Sequence, residues 1–157
     1  REQKYPGGKG RVRLMRSVCL PGIALAVLTL MSGAHADSLL VLSVDVRDLD
    51  GPSFEGQRQV TVRFRNDSVL SDPRPWVVAA VPIGFVIVEG SVRGPGASVA
   101  FSTDGSTSFF SDRGRELSEG PRITHIRWQL DGPIEPGVSG IVSFRIRPEV
   151  ATTDEAG

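Results

Sequence analysis

Beyond residue 36 the chain carries one histidine, His125, and no lysine, cysteine or tyrosine, so the usual general bases and nucleophiles are scarce. His125 by itself could serve as a base or a metal ligand. A zinc site needs three or four nitrogen or sulfur ligands, and no second histidine or cysteine lies in this part of the chain. The alternation in Ile126-Arg127-Trp128-Gln129-Leu130 also turns His125 away from the apolar side, toward solvent. We read it as a surface histidine. Ser139, within Gly137-Val138-Ser139-Gly140, approaches a nucleophile elbow in letters only: an elbow turns from strand into helix, and this one leads into a strand. Asp45, Asp48 and Asp50 ahead of Gly51 make half a calcium loop. Aligned on that glycine, position 1 is Val46 and position 12 is Gln57, so two of the oxygen ligands a hard cation requires are missing. The stretch reads as an acidic strand-end turn. We therefore expect no catalytic, cofactor-binding or metal-binding residues, and no enzyme.

Two sets of side chains could instead bind a partner. Arg63, Arg65, Arg127, Arg145 and Arg147 take outward positions on three alternating segments. If those strands adjoin, they form a basic stripe fit for an acidic glycan, a lipid headgroup or nucleic acid. From Asp37 onward, however, twelve arginines face seventeen acids, a net of −5, and no aromatic residues interleave with the stripe. That argues against nucleic acid. Such arginines read as a solvated face that also guards sheet edges, and reversing the charge at Arg145 and Arg147 is expected to leave partner binding unchanged. An aromatic platform for a sugar would have to come from Trp76, Phe109 and Phe110, all near loops.

The elements that position these groups are strands. Val60, Val62 and Phe64 alternate with Thr61, Arg63 and Arg65; Val142, Phe144 and Ile146 alternate with Ser143, Arg145 and Arg147. Period-two patterns of this kind mark antiparallel strands with one buried and one wet face. Shorter candidates run over 39–46, 76–81, 85–88 and 98–102. Turn chemistry separates them at Asp50-Gly51-Pro52, Asn66-Asp67-Ser68, Gly94-Pro95-Gly96, Asp104-Gly105, Gly120-Pro121, Asp131-Gly132-Pro133 and Pro136-Gly137. About seven short strands without a helical segment predict an all-β, immunoglobulin-like antiparallel sandwich, with a small barrel as the alternative. Its core is expected from Ile126, Trp128, Leu130, Val142, Phe144 and Ile146.

The first 36 residues differ in kind. Six cations against one acid precede the apolar run of residues 23–31, and Ser32-Gly33-Ala34-His35-Ala36 ends in the small-x-small pattern read by signal peptidase. These are the parts of a secretory signal, with cleavage expected between Ala36 and Asp37. The run is short of the roughly twenty residues a membrane span needs. Met15-Arg16 makes a more ordinary signal start than residue 1. Cys19, the only cysteine, falls within the signal, so a domain over 37–147 must be held by its core, followed by a flexible tail over 148–157.

The same stretches resemble a known family. Asn66-Asp67 after a Thr-Val strand, Val81-Pro82-Ile83-Gly84-Phe85-Val86-Ile87-Val88-Glu89-Gly90-Ser91, Gly94-Pro95-Gly96-Ala97, Phe101-Ser102-Thr103-Asp104-Gly105 and 123–147 are similar, in order, to the conserved bacterial surface-repeat module known as domain of unknown function eleven. The resemblance covers roughly residues 57–147. It implies a sandwich on exported proteins of the envelope, usually in tandem copies, with no catalytic or cofactor residues. The chain departs from that pattern in having one copy and a different approach to the third strand, Ser71-Asp72-Pro73-Arg74-Pro75-Trp76. The expectation is a periplasmic or secreted structural or protein-interaction module, without cofactor, nucleic acid or integral membrane segment, whose partner is an envelope or secreted protein. A carbohydrate- or envelope-binding accessory domain is the alternative.

Overall fold

In the computed structural model, residues 40–72, 75–96, 98–111 and 120–150 are described. The expected leader through Ala36, its expected cleavage position before Asp37, and residues 151–157 of the expected tail lie outside them. Seven strands follow in order: β1 (Leu40–Asp48), β2 (Arg58–Asn66), β3 (Trp76–Ala80), β4 (Phe85–Ile87), β5 (Ser98–Ser102), β6 (His125–Gln129) and β7 (Ser139–Pro148). The only helical piece among the described residues is a three-residue 3₁₀ turn, Pro52–Phe54. Every pairing is antiparallel. One sheet has the order β1-β2-β7-β4 and the other β3-β6-β5, so the fold is a two-sheet β-sandwich rather than a barrel. The four-plus-three division is that of a seven-stranded immunoglobulin-type sandwich, but here the last strand lies beside β2, so the connectivity differs.

Alternation decides which residues face inward. Val60, Val62 and Phe64 of β2 and Val142, Phe144 and Ile146 of β7 are buried, as are Val77 and Ala79 of β3 and Ile126 and Trp128 of β6. Leu130, which follows β6, is buried as well, so all six expected core residues lie in the core. Trp128 and Phe144 meet between the sheets with ring centroids 6.0 Å apart and planes tilted by 39°, a favoured aromatic geometry. The packing leaves no room at two glycines. A methyl group on Gly94 would lie 2.8 Å from Trp128 Cδ1, and one on Gly140 would overlap the Phe64 ring.

Loops are tied by specific polar contacts. Asn66, fully buried at the end of β2, donates through Nδ2 to the carbonyls of Leu70 and Ile134, each at 2.8 Å. Its Oδ1 accepts from the backbone N–H and hydroxyl of Ser68. One amide thereby joins the β2–β3 loop to the β6–β7 connection. At the opposite end, Arg122 Nη2 donates to the Pro82 carbonyl at 2.6 Å, and its Nε lies 3.8 Å from Glu149.

Among the described residues no helix is long and apolar enough to cross a membrane.

Candidate functional site

The groups that chemistry would use gather where β5 meets β6. Ser102 ends β5 with its side chain buried, and its hydroxyl donates to Asp104 Oδ1 at 2.7 Å. The Ser108 backbone N–H reaches the same oxygen at 3.0 Å, and its hydroxyl donates to Oδ2 at 2.6 Å. These three donors hold the Asp104 carboxyl well below the usual carboxylate range, the Ser108 hydroxyl contributing most. Thr124 Oγ1 caps the turn by accepting from the Gly105 N–H and donating to the Ser102 carbonyl. His125 Nδ1 lies 3.1 Å from that hydroxyl.

An acid, hydroxyls and an imidazole thus occupy one corner, but not in a catalytic order. A nucleophile needs a base beside it, oriented in turn by the acid. Here the acid bonds the serines directly and the imidazole meets a threonine already engaged by backbone. The arrangement builds a turn. His125 is also half-buried rather than fully solvated, and burial lowers its pKa while the charge of Asp104 partly opposes the shift. Its outward direction is as alternation requires, with the ring against Thr124 at the Asp104 turn.

Two of the three acids of the half calcium loop are likewise engaged. Asp45 pairs with Arg47 at 2.6 Å and Asp48 with Arg58 at 2.7 Å. No group of three or more metal-ligating side chains occurs among the described residues.

The three aromatic candidates part company. Trp76, Val78 and Ala80 of β3 lie on the side away from the core beside His125, Arg127 and Gln129 of β6, with Trp76 opposite Gln129 and Val78, itself buried, opposite Arg127. Phe109 joins this face: the Arg127 guanidinium lies over its ring, 4.4 Å from the centroid, a cation–π contact. Phe110 points the other way. It exchanges two backbone hydrogen bonds with Phe101, places its ring 6.3 Å from that of Phe101 and packs against the core. Trp76 and Phe109 therefore share a face on either side of an arginine with no carboxylate partner among the described residues, and Phe110 is a core-edge residue.

The basic stripe is redrawn. Arg127 belongs to the three-stranded sheet, so it cannot join Arg63, Arg65, Arg145 and Arg147 on the outer face of the other. Two residues that the strand patterns did not bring into the set take its place. Arg47 lies opposite Gln59, which lies opposite Arg145. Arg93 pairs with Ser143 through two backbone hydrogen bonds of 2.8 and 2.9 Å, and so shares the outer side of β7.

No family model, curated protein or solved structure matches the chain.

Proposed function

We propose that the protein is an exported, non-catalytic β-sandwich that serves as a structural or protein-interaction module of the bacterial envelope, periplasmic or secreted. The observation that carries this reading is the turn at Asp104. The acid and hydroxyls most suited to catalysis are spent on one another and on backbone, where they stiffen a loop. The secretory leader in the sequence and the similarity to the surface-repeat module support the envelope location. Expression in a Gram-negative host followed by fractionation tests it. The expected outcome is a periplasmic or medium pool whose N-terminus is Asp37; a cytoplasmic chain retaining residues 16–36 overturns it.

A second reading, a carbohydrate-binding accessory domain, draws on the grouping of Trp76, Arg127 and Phe109. An aromatic pair beside an arginine with no carboxylate partner among the described residues offers an apolar surface for a sugar ring and donors for its oxygens. A glycan array distinguishes the two. Binding abolished by Trp76→Ala but retained by the folded Phe54→Ala variant supports the carbohydrate reading, and a blank array returns the choice to the protein-interaction module.

A further inference from the structure

We propose that the outer face of the four-stranded sheet binds an acidic polysaccharide, laid along the strands. The strand registers place at least one arginine in each of five successive outward rows, and two in the fourth. Arg65 is opposite Ser139, and Arg63 is opposite Ile141. Thr61 is opposite Ser143, whose other neighbour is Arg93. Gln59 lies between Arg47 and Arg145. Arg147, opposite Val86, ends the series. Outward rows repeat about every 7 Å along a strand, so the band extends over roughly 27 Å.

The band is cationic within an acidic domain. Six of the twelve arginines beyond Asp37 lie on this one face. Opposing them are Asp45, paired with Arg47, and Asp67, paired with Arg65 beyond the first row. Among the described residues Arg63, Arg93, Arg145 and Arg147 have no carboxylate partner. Arg145 is instead braced over Phe54, 5.5 Å from its centroid, and donates to Gln57 Oε1 at 3.2 Å. Guanidinium groups fit the paired oxygens of carboxylate or sulfate.

The rest of the face selects the class of polyanion. Ser43, Thr61 and Ser143 supply hydroxyls between the charges, suited to sugar oxygens. Among the described residues the one aromatic beside the band, Phe54, is occupied by Arg145, which leaves no platform for nucleic-acid bases there. Ile141 is the single strongly exposed aliphatic residue on the face, at 46 %, too little apolar surface to seat in a bilayer. This binding role replaces the solvated-face expectation and is independent of the Trp76 face.

Full-length protein, isotopically labelled, is titrated with polygalacturonate while amide resonances are followed. The expected result is salt-sensitive binding that perturbs β1, β2 and β7 around Ser43, Thr61 and Ser143. The Arg63→Glu/Arg147→Glu variant weakens it by about tenfold or more, as two attractive contacts become repulsive. Arg63→Gln/Arg147→Gln weakens it less, and Arg127→Glu, on the other sheet, stays within about twofold of the parent. Absence of binding, perturbations confined to residues 1–16, unchanged affinity in the Glu variant, or equal affinity for neutral dextran overturns the proposal. So does tighter binding to phosphatidylglycerol vesicles or to a single-stranded oligonucleotide. A Trp76→Ala variant keeps polygalacturonate binding even if the carbohydrate reading of the other face fails.

Discussion

Two titratable side chains give the folded state a pH dependence of known sign. Burial holds the His125 imidazole below its ordinary value, so the folded protein takes up a proton less readily than the unfolded chain. The resulting stabilisation is complete above the unfolded pKa, near about 6.5, and is lost as the pH falls through the folded value. Asp104 acts with the same sign over a lower window: its hydrogen-bonded carboxylate contributes above about pH 4 and less in more acid solution. Urea midpoints should therefore fall between pH 7.5 and 5, and His125→Gln should flatten that limb. A parent midpoint constant over the range would show that His125 is solvated equally in both states. Gly140 makes a different claim. Its Cα hydrogen faces the Phe64 ring, so Gly140→Ala should cost about 1–3 kcal/mol through overpacking. Phe64→Leu in the same chain should recover part of that loss, a coupling read from a double-mutant cycle.

At the scale of elements, the Asn66 amide joins two connections that are far apart in sequence. Asn66→Ala would leave the Ile134 carbonyl buried without its side-chain donor and release Ser68, for an expected cost of about 2–3 kcal/mol in denaturant unfolding. A loss below about 0.5 kcal/mol would mean that water replaces the amide. Strands were legible because alternation is a local property. The segments over 59–65 and 98–102 needed at most a residue of adjustment, and Trp128 was identifiable as core from its neighbours alone. Alternation assigns a side chain to a face but not a strand to a sheet. For that reason Arg127 could not be separated from Arg145 before the pairings were known. Arg93 sits in an isolated two-residue bridge with no periodic pattern around it, so nothing local placed it beside Ser143. Phe109 and Phe110 are adjacent and identical; only the pairing of Phe110 with Phe101 decides which turns inward.

At the scale of the whole molecule, three carboxylates near the sheet ends are drawn into ion pairs among the described residues. Asp45, Asp48 and Asp67 are each matched to an arginine, so the Tm should be unchanged by EDTA and by added calcium. A rise in Tm with calcium would reopen the turn at Asp50 as a binding loop. The order β1-β2-β7 has a mechanical consequence. β1 and β7 run in the same direction, both antiparallel to β2, so Leu40 and Pro148 leave the sheet at opposite ends. Tension applied across these two points would draw β1 and β7 past β2 in opposite senses. The nine residue pairs of one ladder and the eight of the other would then be loaded in shear, all at once, rather than opened one by one from a corner.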